Sequence, residues 1–400
     1  MKDSVEPLTA PAEPAGHLAQ PLSAGILASL VGFASSVPVL VAGLTAAGAS
    51  PAEAASGLFA ICVAVAVLGI GMSVRSRMPI TIAWSTPGAA LLVSTGVPAG
   101  GYPATVAAFL AAAILIIVAG LWRPFGRAVA AIPMSLANAM LAGVLLELCL
   151  APLKAVEAMP LLALPIIVIW ALAMRFVRRF AIPVSVIVTA IIVASATPIP
   201  PAALAASLPR PVLVLPAFDL NAVIGIGLPL FLVTMASQNV TGLAVLNANG
   251  YRPPVGPIFT LTGLASIVTG LLGGHTVNLA AITAALCAGP EAGPDPARRW
   301  IASVACGATY LVLGLGAAFA AAFIAASPPL LIQAVAGLAL LGSLASALSG
   351  ALDRDADRLP AVAAFITTAS GVSFYGIGSA FWGLLAGGLL MALLRWKPAG

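Results

Sequence analysis

Apolar residues run along this chain in blocks of roughly twenty, separated by short polar, Pro-rich or Gly-rich gaps. A helix needs about 20 apolar residues to cross a bilayer once. Read in order, the blocks predict fourteen segments. The first seven are 22–46, 55–73, 79–95, 102–121, 127–149, 158–175 and 181–197; the second seven are 219–247, 255–273, 276–289, 298–326, 329–350, 359–372 and 375–394. Two of them are unusual. Segment 3 opens with Ile80 to Trp84, β-branched and aromatic like a short strand. Thr86 then reads as an N-cap with Pro87 at the first helical position. This spells a strand followed by a half-helix that starts near mid-membrane. Segment 10, from His275 through Asn278 to Cys287, also begins extended and then turns small and helix-friendly.

Composition agrees with a membrane protein. Of the 400 residues, 61% are hydrophobic and only 7% charged, against about 25% charged in a soluble domain. A water-soluble fold is excluded, since no fold of this length could hide so much apolar surface. The basic residues then set the orientation. Fifteen of the seventeen lie in every second gap or at an end: Lys2; Arg75 and Arg77; Arg123 and Arg127; Arg175, Arg178 and Arg179; Arg252; Arg298 and Arg299; Arg354 and Arg358; Arg395 and Lys397. Only Lys154 and Arg210 lie elsewhere. Short loops rich in Lys and Arg stay cytoplasmic, so both ends are expected inside. The net charge of +5 thus comes from inner-face loops and does not indicate a nucleic-acid partner. Residues 1–21 are polar and Pro-rich, and read as a solvated cytoplasmic tail rather than a signal peptide. Cys62, Cys149, Cys287 and Cys306 sit far apart in apolar stretches, as small buried hydrophobes; no metal site or cofactor is expected.

The two unusual segments can be laid over each other. Gly88-Ala89-Ala90-Leu91-Leu92 matches Thr283-Ala284-Ala285-Leu286-Cys287 at an offset of 195. Phe33-Ala34-Ser35-Ser36 resembles Met235-Ala236-Ser237-Gln238 at 202, and Leu58-Phe59 resembles Ile258-Phe259 at 200. Three matches in order support a duplication. Because seven is odd, the second copy runs through the membrane upside down, a known transporter plan. Irregular backbone at membrane depth survives only where it lines a cavity or is wrapped in protein. Each half-helix start carries about half an elementary positive charge. Two such starts facing each other form an anion site without a buried Lys or Arg, and none of the seventeen basic residues lies in segment 3 or 10. The anion is expected between Thr86–Gly88 and Ile282–Thr283. Ser85, Thr86, Asn278 and Thr283 are candidate side-chain donors, and Trp84, Phe33 and Phe374 or Tyr375 are candidates for an apolar wall against a flat ring. Plainer readings stand beside these. Ser85 to Gly88 also fits a simple turn, Trp84 a lipid-facing aromatic, and Asn278 and Thr283 polar glue between helices.

Trp84-Ser85-Thr86-Pro87-Gly88-Ala89-Ala90-Leu91-Leu92, and the run from Gly273 and Gly274 through His275, Thr276, Asn278 and Thr283, resemble the benzoate:proton symporter family (BenE type). The resemblance covers essentially the whole chain after the tail. It implies an all-α inner-membrane carrier that imports benzoate or a similar aromatic carboxylate with protons. It also implies kinship with nucleobase and sulfate-type carriers built as seven plus seven inverted repeats. In such carriers a core domain, here 22–121 and 219–326, moves against a gate domain, here 122–197 and 327–394. One departure bears on mechanism. Nucleobase carriers of this fold place a Glu and a His on segment 8, whereas this chain has Thr234 to Ser237, Gln238 and Asn239, none of which exchanges a proton near neutral pH. Gln238 and Asn239 remain candidate substrate contacts.

Three other ionisable residues are candidates for proton coupling: Glu147 in segment 5, Asp219 at the start of segment 8, and His275 before segment 10. An acid at mid-bilayer costs on the order of 3 kcal/mol and usually has a job or a partner; Lys154 is a candidate partner for Glu147. The pKa of an unperturbed histidine, about 6.5, suits proton exchange, although a histidine that merely satisfies backbone groups fits His275 equally well. The alternatives are a carrier of the same fold for another anion or a nucleobase, and an anion channel. An enzyme is not expected, since no GxSxG elbow, HExxH or P-loop is present. Gly270 with Gly274, and Gly383 with Gly387, permit close helix contacts within one subunit or in a homo-oligomer.

Overall fold

The computed structural model describes residues 16–122, 124–126, 133–196, 208–375 and 377–395. The basic residues Lys2, Arg123, Arg127 and Lys397 lie outside them. The first half comprises α1 (Gly16–Ala46), α2 (Pro51–Ser76), strand β1 (Ile82–Trp84), half-helix α3 (Thr86–Thr95), α4 (Gly101–Leu121), α5 (Met134–Ala158), α6 (Pro160–Phe176) and α7 (Ala181–Ala196). The second half repeats the order. It opens with α8 (Leu220–Ala248). Then come α9 (Val255–Leu271), strand β2 (Val277–Leu279), half-helix α10 (Ile282–Ala288), α11 (Trp300–Gly314), α12 (Ala317–Ala326), α13 (Pro329–Leu352), α14 (Arg358–Ala369) and α15 (Ser379–Arg395). α11 and α12 form one span bent by 57°. Counting each strand with its half-helix, the described residues make fourteen spans in two sets of seven.

Local chemistry sets several of these boundaries. Ser50 and Glu53 form a reciprocal capping box at the start of α2, with Pro51 in its first turn. Pro160 and Pro329 likewise open α6 and α13. Segment 5 is the largest shift from the sequence reading. Expected at 127–149, it is observed as Met134–Ala158, and 127–132 lie outside the described residues. The polar residues Lys154 and Glu157, which look like a loop, are exposed on the last turns of a continuing helix. α8 contains two π-helical stretches, Val223–Gly227 and Met235–Val240, which rotate the side chains that follow relative to a regular helix.

Inverted topology appears directly in the sheet. β1 pairs antiparallel with β2, with Ile82 opposite Leu279, Ala83 opposite Asn278 and Trp84 opposite Val277. β1 starts at Ile82 and β2 at Val277, the same offset of 195 found in the sequence. Two strands alone would leave backbone groups unpaired in a medium without water. Side chains from neighbouring helices take them up on the outer edge of β2. Val277 N–H donates to Ser266 Oγ (2.9 Å) and Leu279 N–H to Asn239 Oδ1 (3.0 Å).

Contacts outside the helices gather alternate loops at two ends. At one end Gln20 donates to the Glu291 carbonyl, Tyr251 donates to the Pro296 carbonyl, and the Arg77 guanidinium lies 4.4 Å from the Trp300 ring centroid. Arg395, at the end of α15, pairs with Asp357 in the loop before α14. At the other end Thr105 donates to the Ala47 carbonyl, Tyr102 to the Gly273 carbonyl, and the N–H of Val214 to the Leu271 carbonyl. The first group draws together loops 2/3, 8/9 and 10/11, the Arg-bearing loops of the sequence pattern.

Buried apolar residues divide into one large cluster and two smaller ones. The large cluster joins α1–α4 with α8–α11 and reaches α5 and α13. One small cluster holds α5, α6, α7 and α13; the other holds α5, α13, α14 and α15. Small residues let the backbones approach, as expected where lipid gives helices no hydrophobic drive to associate. A Cβ at Gly57 would collide with the Gly273 backbone, and one at Gly337 with the Leu148 carbonyl. The two Gly pairs noted in the sequence serve contacts of this kind within the chain: Gly383 and Gly387 face Thr368 and Ala364, Gly270 faces Leu110, and Gly274 faces Gly57.

Candidate transport site between the two half-helices

A cavity of about 90 Å³ lies where the two strand–half-helix units meet. One buried water needs only about 10–15 Å³ on this measure, so the space suits several waters or one small organic ion. α1 supplies Gly32, Ser35 and Ser36; the β1–α3 junction supplies Trp84, Thr86 and Pro87; α8 supplies Gln238. Ala281 and Thr283 come from the start of α10, Tyr310 from α11, and Leu340 and Ser343 from α13. No Asp, Glu, Lys or Arg lines the cavity among the described residues. Its electrostatics therefore come from backbone N–H groups, hydroxyls and one amide.

The two helix starts differ. The cap of α3 is Ser85, one residue earlier than the sequence predicts for Thr86; its Oγ accepts the Gly88 N–H at 3.1 Å. Thr86 thus opens the helix, with Pro87 next, and its side chain is free to face the cavity. The start of α10 has no side-chain cap. Thr283 there is only 6% exposed, and its Oγ1 has no partner among the described residues. At the far end of α10, buried Arg299 donates to the Ala288 carbonyl (2.9 Å) and the Gly293 carbonyl (2.8 Å). A cation there complements the negative end of the half-helix dipole. In the sequence Arg299 reads simply as one of the basic residues of an inner loop.

Trp84 forms a wall of the cavity. At 2% exposure it is not a lipid-facing aromatic, and a strand followed by a capped helix rules out the simple turn at Ser85–Gly88. Its ring meets Tyr310 edge-on at 5.3 Å and Phe33 at 6.4 Å, and its Nε1–H has no partner among the described residues. Phe33 sits behind Trp84 and lines a second hollow of about 360 Å³ on the other face of α1. Phe319, Phe323, Val335 and other apolar groups surround that hollow, which offers an anion almost no donors.

Several expected contacts are placed elsewhere. Asn239 is buried and holds β2 through the Leu279 N–H, so its amide serves the scaffold. Asn278 is fully buried outside the cavity lining and donates to the Leu279 carbonyl. Ser85 is used by the cap. A Cβ on Gly88 would meet Leu230 and Ser85, so Gly88 provides close packing and not a ligand surface. Ile282 opens α10, and its side chain lies outside the described residues. Phe374 and Tyr375 are exposed, at 54% and 89%, in the loop before α15, where Phe374 packs on Trp382. Neither residue lines the cavity between the half-helices, so neither forms its wall. Tyr310 and Gly32 are the residues that sequence reasoning missed. They lie on helices away from both strand–half-helix motifs, and Gly32 only borders the Phe33–Ser36 repeat match.

The coupling candidates separate as well. Asp219 caps α8 by accepting the N–H groups of Asn221 and Ala222. Glu147 is exposed on α5, with no ion pair to Lys154 among the described residues. His275 is fully buried beside Phe109, and neither ring nitrogen has a partner among the described residues.

Comparison with known proteins places this geometry. The chain is 38% identical over 374 residues to the inner membrane protein YdcO of Escherichia coli (strain K12), covering 94% of this chain and 95% of that one. It is 34% identical over 378 residues to the benzoate membrane transport protein of Acinetobacter baylyi (strain ATCC 33305 / BD413 / ADP1), with the same two coverages of 94% and 95%. Its fold resembles the transmembrane domain of a cyanobacterial bicarbonate transporter, BicA, with a TM-score of 0.56 at 16% identity over 94% of this chain and 97% of that one. The fourteen spans are thus two inverted repeats of seven, and the protein is a membrane transporter rather than an enzyme. The profile of the benzoate membrane transport protein family, BenE, matches residues 17–393, and this chain belongs to that family.

Proposed function

We propose that this transporter imports benzoate or a similar aromatic carboxylate together with a proton across the bacterial inner membrane, with both termini cytoplasmic. The carboxylate sits between the starts of α3 and α10, and the ring lies against Trp84. The observation that carries this reading is the cavity itself: among the described residues it has no charged side chain, it has donors at Thr283 and Trp84 without partners, and it has an aromatic wall. Transport follows from motion of the core (spans 1–4 and 8–11) against the gate (spans 5–7 and 12–14). The division of buried clusters supports that boundary, and α13 of the gate closes one side of the cavity. His275 is the proposed proton carrier. Of the three candidates it is the one left buried without a partner among the described residues, while Asp219 caps α8 and Glu147 is exposed.

The test is uptake of labelled benzoate into liposomes under an inward proton gradient, with unlabelled benzoate, uracil and sulfate as competitors. Saturable accumulation that benzoate alone competes away, and that an uncoupler collapses, supports the reading. Preferential competition by sulfate or uracil would reassign the cargo, and non-saturating flux would indicate a channel. For the proton, His275→Gln should abolish gradient-driven accumulation while benzoate counterflow continues. Full accumulation in that variant removes His275 from the pathway.

A further inference from the structure

Tyr310 lies on α11, outside both broken spans, yet its side chain reaches the cavity between them. It is only 2% exposed. A buried tyrosine hydroxyl normally finds a hydrogen-bond partner. The hydroxyls of Tyr102 and Tyr251 do so, donating to the carbonyls of Gly273 (2.6 Å) and Pro296 (2.7 Å). The Tyr310 hydroxyl has no such partner among the described residues, and its ring is fixed edge-on against Trp84 at 5.3 Å. Its position is marked by Gly32. A Cβ built on Gly32 would overlap the Tyr310 hydroxyl oxygen and come within 3.0 Å of Thr283 Cγ2. The Tyr310 hydroxyl and the Thr283 methyl therefore meet over Gly32 of α1, which brings together at the start of α10 two side chains whose hydroxyls lack partners among the described residues. Both can donate, and among the described residues no carboxylate lines the cavity to accept from them. A pair of donors beside a helix start suits a two-oxygen anion.

We propose that Tyr310 is a substrate-binding residue whose hydroxyl donates a hydrogen bond to the bound carboxylate, one oxygen going to Tyr310 and the other to Thr283. Gly32 is glycine because any side chain there would push that hydroxyl off the site. This assignment rests on the reading of the cavity as the anion site, and it adds a determinant that neither half-helix motif carries. It also explains how the ring is oriented. With the carboxylate held at the Tyr310–Thr283 side, the aromatic part lies along Trp84.

Tyr310→Phe keeps the ring and its packing and removes only the donor. A hydrogen bond to a charged group supports an expected rise in the KM for benzoate of about tenfold or more, with the maximal rate kept within about twofold. Gly32→Ala should impair affinity at least as much. In the Tyr310→Phe background it should cost less than it does alone, because the colliding oxygen is gone. Thr283→Val is measured in parallel. If it raises KM while Tyr310→Phe leaves KM unchanged, the Tyr310 assignment is overturned and the anion site stands. If neither substitution moves KM, the assignment and the site fall together. Should Tyr310→Phe not insert stably, Gly32→Ala decides by equilibrium binding of labelled benzoate, where unaltered affinity overturns the proposal.

Discussion

The two strand–half-helix units are related by the repeat, but their chemistry differs. At α3 the cap Ser85 takes the Gly88 N–H and Pro87 has none, so within the first turn only Thr86 keeps a backbone donor free of these constraints. At α10 the N–H groups of Ile282, Thr283 and Ala284 open the helix without a side-chain cap, Thr283 adds a hydroxyl, and Arg299 supports the opposite end. The two repeats thus share a backbone frame, but more uncapped N–H groups open α10 than α3. Pseudo-symmetry of fold does not imply equal shares in binding.

Substitutions that exploit this asymmetry can break or sharpen it. The largest effect is expected from Thr283→Asp. A carboxylate at the first turn of a helix is compatible with folding, but it would occupy the place of the cargo and repel it. Benzoate uptake should fall by about 100-fold or more, with insertion and monodispersity retained, since like charges in contact cost several kcal/mol. Near-normal uptake would remove α10 from the site. Next comes a paired comparison of Thr283→Val and Thr86→Val. We expect KM to rise about tenfold for the first and only about two- to threefold for the second. Equal effects would mean that the two repeats share the charge evenly. The smallest effect is expected for Arg299→Met, which removes the cation from the far end of α10. A dipole contribution of about 0.3–1 kcal/mol corresponds to a two- to fivefold rise in KM, accompanied by a lower Tm because the Ala288 and Gly293 carbonyls lose their donor. A drop in Tm with no change in KM would confine Arg299 to a structural role.

Much of this frame is legible in the sequence, for physical reasons. Apolar blocks of bilayer length give the spans, and the Ile80–Trp84 run beside Ser85 to Gly88 announces a strand that stops and a helix that starts. The offset of 195 between the two units needed only small residues in matching places. What stayed hidden depends on who meets whom. Asn239 looks like a ligand until the unpaired Leu279 N–H beside it is known. Ser85 and Thr86 are both good caps, and only the backbone turn selects Ser85. Tyr310 and Gly32 acquire meaning from each other across α11 and α1, a contact no local pattern encodes. Phe374 and Tyr375 lie in an apolar-looking stretch that forms an exposed loop, so aromaticity alone misassigned them.

The most direct measurement is a map of the protein bound to 4-bromobenzoate, with the bromine located by its anomalous signal. Bromine beside Trp84, with the carboxylate turned toward Thr283 between α3 and α10, is the expected result. Bromine in the apolar hollow behind α1, or no ligand between the half-helices at a concentration that saturates transport, would contradict the site.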